Sequence, residues 1–159
     1  MHRGTTLKRF ITTAEGQWLH VFYSGRKTRY RTAEGTPLEL LPTRFNSREK
    51  IYRFFRLFWG KRLAEQMIGN LPLSRRCGCL YVIAYDAGPM SVVVRVVRVM
   101  CRSKQALAVL TKLSGGPEGR VGVIHVLARR KPGGYTIVKR HGPSYDFRYY
   151  KPEEHIRDR

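Results

Sequence analysis

Ten basic side chains, grouped in short clusters, are the residues of this sequence best suited to chemistry, and that chemistry is the gripping of phosphate. They are Arg75 and Arg76, Arg102 and Lys104, the run Arg129-Arg130-Lys131, the pair Lys139-Arg140 before His141, and Arg148. A guanidinium fork holds phosphate oxygens two at a time and stacks on bases, whereas an ammonium acts as a point charge. Arginine outnumbers lysine 22 to 9. Contacts of this kind fix a protein on a nucleic acid without reading its sequence. Each cluster alone could be an ordinary solvated turn; together they belong to a chain of 159 residues with a net charge of +20. The excess is spread along the chain, with net charges of +5, +9 and +6 over residues 1–46, 47–119 and 120–159. A folded domain with that charge repels itself unless a polyanion neutralises it. RNA is the expected partner.

Other chemistries find few residues. Cys77, Cys79 and Cys101 are too few for a disulfide framework and suit a reducing compartment. Cys77-Gly78-Cys79 is closer than the spacing of a zinc knuckle, and no second pair follows. These thiols are either small packing residues or one or two ligands of a metal or iron–sulfur site that another chain completes. The glycine-rich Ser114–Gly119 lacks the lysine and hydroxyl of a phosphate-binding loop. The histidines at 2, 20, 125, 141 and 155 match no zinc-protease or deaminase pattern, and Asp86 has no partner carboxylate nearby. His125 is expected to be packed and hydrogen-bonded. No catalytic residue is assigned, and the expected protein is not an enzyme.

The composition, 42% hydrophobic and 11% aromatic, is enough for a core. No apolar run approaches the roughly 20 residues that span a bilayer; the longest, 91–101, contains Arg95 and Arg98. The spacing divides the chain into a basic N-terminal arm (1–16), one α+β domain (17–140) and a C-terminal extension (141–159). Residues 1–14 carry three basic and no acidic residues, which fits either a mitochondrial transit segment or an RNA-binding arm. In the extension, Tyr145, Phe147, Tyr149 and Tyr150 are expected against RNA or a neighbouring protein, with Arg148 and Lys151 facing phosphate or acidic groups.

Within the domain, Gln17–Tyr23 and Lys27–Arg31 read as strands around a turn at Ser24-Gly25-Arg26, and 38–41 as extended chain. One long helix is predicted over Ser47–Ile68, its apolar face carried by Ile51, Phe55, Trp59, Leu63 and Met67. Strands follow at 80–85 and 91–101. The valine-rich second of these could alternatively place Arg95, Arg98 and Arg102 on one helical face, but such β-branched density favours the strand. Ser103 then caps a predicted short helix to Leu113, and strands return at 121–127 and 135–139. The order is β-α-β-β-α-β, the ferredoxin-like split βαβ plan, with an added C-terminal hairpin strand. Its third strand lacks the aromatic residues on which many RNA-binding domains of this topology stack bases.

Ser47-Arg48-Glu49 opening the helix, Arg75-Arg76 leading into Leu80-Tyr81-Val82-Ile83, and the segments to Val126 resemble the bacterial-type small-subunit ribosomal protein six family over about residues 36–128. In that alignment the family's first strand falls on 38–41 or on 17–23, and the hairpin and tail after 128 are extra. The resemblance implies a mitochondrial small-subunit ribosomal protein that binds ribosomal RNA beside small-subunit protein eighteen. It also implies that Cys77, Cys79 or Cys101 serves a shared iron–sulfur site. The expected function is thus a structural constituent of the mitochondrial ribosome, in the matrix, touching ribosomal RNA and neighbouring ribosomal proteins but neither membrane nor small-molecule substrate. The alternatives are a free RNA-binding or ribosome-assembly factor, in mitochondria or cytoplasm, and a subunit of an RNA-processing enzyme.

Overall fold

Leu7, Ile11, Ala14, Trp18, Val21 and Phe22 recur at steps of one, three and four residues, and the chain winds them onto the buried face of a 20-residue helix, α1 (Arg3–Phe22). The structure, a computed structural model, describes residues 3–150, with side chains from residue 6. The expected N-terminal arm and the strand at 17–23 both give way to this helix. Packing overrides the β-branched and aromatic character of Gln17–Tyr23: Trp18, Val21 and Phe22 reach the core only if the segment is helical. The Trp18 indole donates to the Met67 carbonyl at 3.1 Å, fixing α1 against a later helix.

The chain is α+β, with two antiparallel four-stranded sheets. Strands β1 (Arg26–Arg31), β2 (Pro37–Leu40), β3 (Leu73–Arg76) and β4 (Cys79–Ile83) make the first, in the order β1-β2-β4-β3. Strands β5 (Val93–Arg102), β6 (Ala106–Ser114), β7 (Val121–Arg129) and β8 (Tyr135–His141) make the second, a meander in sequence order. The ferredoxin-like order is not followed in the second half, because Ala106–Ser114 is a strand and not a helix. Leu107, Leu110 and Leu113 suit a helix, but Leu107, Val109, Thr111 and Leu113 suit a strand equally, and these four are buried. Pairing with β5 on one side and β7 on the other decides the matter.

The expected single helix over 47–68 is broken in two, α2 (Arg48–Phe55) and α3 (Lys61–Gly69). Ser47 caps the first, accepting from the Lys50 amide at 3.2 Å. The break has a tertiary cause. The Phe58 carbonyl accepts from the Ile137 amide (2.8 Å), and the Gly60 amide donates to the Ile137 carbonyl (2.7 Å). This one-residue parallel bridge covers the edge of β8. It also turns Trp59 inward, where its indole donates to the Ala14 carbonyl at 3.2 Å.

A single apolar cluster joins α1, α2, α3 and both sheets. Phe55 lies fully inside it, whereas Arg53, on the opposite face of α2, pairs with Glu49 in solvent. Phe55→Ala is therefore expected to cost about 3–5 kcal/mol and Arg53→Ala no more than about 0.5 kcal/mol. Urea unfolding of the two variants checks this; equal losses would place the wrong face of α2 in the core.

The C-terminal segment up to residue 150 also belongs to the domain, against the expectation that it needs an outside partner. Tyr149 is buried with its ring 5.1 Å from that of Trp59, and Phe147 meets Trp18 edge-on at 5.4 Å. Tyr150 accepts from the Gly142 amide through its hydroxyl. Of the four aromatic residues expected at an outside partner, only Tyr145 is exposed, and its hydroxyl donates to Glu118 at 2.9 Å. Lys151 and the rest of the extension lie outside the described residues.

Candidate nucleic-acid interface

The ten basic residues separate into three groups. Arg140 and Arg148 are buried and face no surface at which RNA could meet them; charge alone gave no sign that each had an acid waiting inside the fold. Arg75 and Arg76 lie exposed on β3, the edge strand of the first sheet, and Arg76 sits 4.5 Å over the Tyr30 ring. The other six are exposed on the second sheet, and five of them meet at one of its ends.

The antiparallel register causes that meeting. Turn 103–105 joins β5 to β6, turn 130–134 joins β7 to β8, and the Arg129 amide donates to the Gln105 carbonyl at 2.8 Å across them. The two turns and the strand ends that enter them thus bring Arg102, Lys104, Arg129, Arg130 and Lys131 to one end of the sheet. Beside them opens a groove of about 670 Å³ whose lining includes Arg102, Arg129 and Arg130 together with Leu7, Phe10, Leu57 and Tyr135, the last directly across the strand pair from Arg129. Phe10, from α1, meets Tyr135 edge-on at 6.4 Å and Phe58 at 5.0 Å. Arg130 is held in place: its Nε donates to the Thr136 hydroxyl, and its Nη2 to the Arg56 carbonyl at 3.0 Å. A positively charged groove with aromatic rings in its wall is what single-stranded nucleic acid requires, since any base offers a face for stacking. The segment 91–101, expected to lack such rings, forms β5 and supplies none, but α1 and β8 bring two to the end of the sheet. No sequence signal marks Phe10 for this place, because the segment 1–16 reads as a basic arm and not as part of a helix. Lys139 projects from β8 away from this end.

The cysteines lie at the surface as free thiols. Cys77 and Gly78 form the two-residue loop between β3 and β4, with φ of 49° and 77°. Both residues being left-handed is the geometry of the hairpin turn that matches strand twist. Cys101 belongs to the other sheet. Among the described residues no group of three or more His, Cys, Asp or Glu converges to hold a metal ion. An iron–sulfur site would need most of its ligands from a neighbour.

The buried arginines form the densest polar cluster of the fold. Glu15, fully buried on α1, accepts from His125 Nε2 (2.7 Å), from Arg140 Nε (2.8 Å) and Nη2 (3.2 Å), and from the Tyr149 hydroxyl (3.1 Å). Asp146 accepts from Arg148 Nε (2.8 Å) and Nη2 (2.7 Å) and from Arg140 Nη2 (3.1 Å). Arg148 Nη1 donates to the Glu15 carbonyl at 3.0 Å. Burial alone would raise the Glu15 carboxyl; Arg140, the His125 bond and Arg148 together hold it well below its ordinary range. The Tyr149 phenol is pushed well up, by burial first and then by Glu15, and so stays a donor. Burial would lower Arg140, but Glu15 leads the groups that raise it.

Thr111 Oγ1 lies 3.2 Å from His125 Nδ1, so a hydroxyl, an imidazole and a carboxylate fall in line. This is the order of a nucleophilic triad. All three residues have zero exposure, and the Thr111 hydroxyl bonds the Val123 carbonyl at 3.0 Å. The cluster fastens α1, β6, β7, β8 and the C-terminal segment together. His125 is packed and hydrogen-bonded, as the sequence suggested. Among the described residues no helix is long and apolar enough to cross a membrane.

No protein-family model matches the chain, and no curated protein matches it.

Proposed function

We propose that this protein is a non-enzymatic RNA-binding component of a ribonucleoprotein, and that the groove at the end of the second sheet is where it holds a single-stranded or looped RNA segment. The observation that carries this reading is the gathering of five exposed Arg and Lys side chains at one end of the sheet, where Arg102, Arg129 and Arg130 line one groove together with Phe10 and Tyr135. Arg and Lys neutralise phosphates and release counterions, while the half-buried rings take bases without regard to sequence. The mitochondrial ribosome is the assembly we propose for it, on the strength of the charge and the resemblance together. The groove is the firmer support, because the second helix of the small-subunit protein six plan would fall on β6.

Titration of the full chain with mixed-sequence single-stranded RNA, followed by fluorescence anisotropy between 50 and 200 mM salt, tests the reading. The logarithm of the binding constant should fall steeply with the logarithm of salt. Each lost phosphate contact reduces that slope by about 0.7 on a single strand. Arg102→Gln, Arg129→Gln and Arg130→Gln together should therefore flatten it by roughly 2, while Arg75→Gln with Arg76→Gln should change it by less. A slope insensitive to the triple change would remove the groove from the account. A preference of about 4 kcal/mol or more for one short RNA would mean base-specific reading. Co-sedimentation of the tagged protein with the mitochondrial small subunit tests the placement, and its absence from the particle would leave only the free RNA-binding role.

A further inference from the structure

Along β6 and β7 every second residue is buried, from Leu107 to Leu113 on one strand and from Val123 to Leu127 on the other. These face α1, whose Glu15 bonds His125 among them. The residues between them, Ala108, Leu110, Ile124 and Val126, point the opposite way and are half-buried. The antiparallel register sets them in rows across the sheet. One row reads Arg98, Leu110, Ile124 and His141, and the next Cys101, Ala108, Val126 and Lys139. An apolar strip two strands wide is thus flanked by Arg98 on β5 and Lys139 on β8, both exposed. No Asp or Glu occurs anywhere in β5–β8. The edges of this sheet discourage an added strand. β5 has two bulges and carries Arg95, Arg98 and Arg102, and β8 is covered at Ile137 by residues 58–60. A partner therefore meets the sheet through its open face.

We propose that an acidic amphipathic helix of another protein docks along β6 and β7 on this face. Its apolar stripe lies over Leu110, Ile124 and Val126, and its carboxylates stand beside Arg98 on one flank and Lys139 on the other. The charge decides the occupant. A second copy of the chain would bring Arg98 and Lys139 against their own counterparts. RNA would find cations, but no Phe, Tyr or Trp in these rows on which to stack a base. A helix is the element that covers an open sheet face in layered folds. The lengths agree: β6 and β7, nine residues each, run about 30 Å, as does a helix of about 20 residues. The groove with Arg102 and Phe10 opens on the α1 side of the sheet, so this site does not rest on the RNA reading.

Two labelled peptides of about 20 residues and of one composition, leucine, alanine and glutamate, test this on the full chain by fluorescence anisotropy. In one the leucines recur at steps of three and four on one helical face; in the other they are scattered around the helix. The first should bind saturably and at least about tenfold more tightly than the second. A chain of net charge +20 that merely attracts acid would bind both alike. Leu110→Ser with Ile124→Ser should erase the preference. Arg98→Gln with Lys139→Gln should weaken the first peptide about threefold or more and flatten its salt dependence. Arg102→Gln, Arg129→Gln and Arg130→Gln together, which decide RNA binding, should leave the preference unchanged. The two-peptide comparison needs no variant and stands even if one fails to fold. Equal binding of the two peptides overturns the proposal, as does a preference that survives Leu110→Ser with Ile124→Ser or is lost in the triple change. The same double change also sorts the rival occupants. If it dissolves a dimer, abolishes flotation with phosphatidylglycerol vesicles or weakens RNA binding, the face belongs to a second copy, a membrane or RNA, and the proposal falls.

Discussion

Glu15→Ala is expected to remove about 3–5 kcal/mol of stability, the largest loss of any single polar substitution in this fold. The carboxylate is fully buried and holds four hydrogen bonds, from His125, Arg140 twice and Tyr149. Its removal leaves Arg140 and Arg148, both about 1% exposed as side chains, sharing Asp146 alone. An uncompensated buried charge is what makes such a change severe; the pair itself, weighed against apolar residues of equal volume, adds little. Native domains have only about 5–15 kcal/mol to lose, so the variant should unfold at a markedly lower urea concentration. Asp146→Ala should cost less, because the Asp146 side chain is 12% exposed and water can take part of its place.

The same residue sets an acid limit. The carboxyl of Glu15 is held below its ordinary value in the fold, so the unfolded chain binds its proton at a higher pH than the native one does. Stability from this group is then fully present above the unfolded value of about 4.3 and drains away as pH falls below it. Urea midpoints should hold from pH 7 to 5 and drop between pH 5 and 3, and Glu15→Gln should lessen the drop. An equal drop in Glu15→Gln would assign the acid sensitivity to other carboxylates.

How much of this was legible in the chain depends on the range of the interactions involved. β1, β4, β5, β7 and β8 were readable because β-branched and aromatic residues declare a half-buried strand locally. The segment 106–114 was not, since its leucines satisfy periods of two and of three to four alike; only pairing on both sides separates them. For α1 the misleading residues were the β-like Gln17–Tyr23, and the helical period appears only across Leu7, Ile11, Ala14 and Trp18 together. Glu15 was the available clue. It falls in step with Ile11, Trp18 and Phe22, a lone acid on an apolar face, which is a place that demands buried partners. The basic turns were visible as clusters, but their convergence came from the register of β6 with β7; Arg129 and Arg140 share one face of the sheet, and Arg129 is exposed because it ends β7 while Arg140 lies opposite the buried His125. Nothing near Arg148 in the chain marks it as buried beyond Asp146, because its other partner, Glu15, lies 133 residues away.

Ending the chain at Gly142 is expected to abolish cooperative folding. The expectation that residues after 140 need an outside partner for their order rested on the roughly 1–2 kcal/mol of backbone entropy that each ordered residue costs. The fold itself supplies the offset over residues 143–150. Tyr149 fills the space between Trp59 and Arg140, with the guanidinium 3.9 Å from its ring centre, and Phe147 closes over Trp18. Deleting one buried aromatic costs about 3–5 kcal/mol. Here Tyr149 and Phe147 leave together with Arg148 and Asp146, so Arg140 loses one of its two carboxylates and Glu15 loses the Tyr149 hydroxyl. Those losses together match the whole stability of an ordinary domain. A chain ending at Tyr150 keeps every one of these contacts and should unfold as the full chain does. Circular dichroism in the near ultraviolet and protease trimming distinguish the outcomes: the chain ending at Gly142 should lose its aromatic signal and be cut throughout, and the one ending at Tyr150 should keep both its signal and its resistance. A folded, protease-resistant product from the shorter chain would show that the segment is an appendage after all, and that Glu15, Arg140 and His125 suffice to hold α1 on the second sheet.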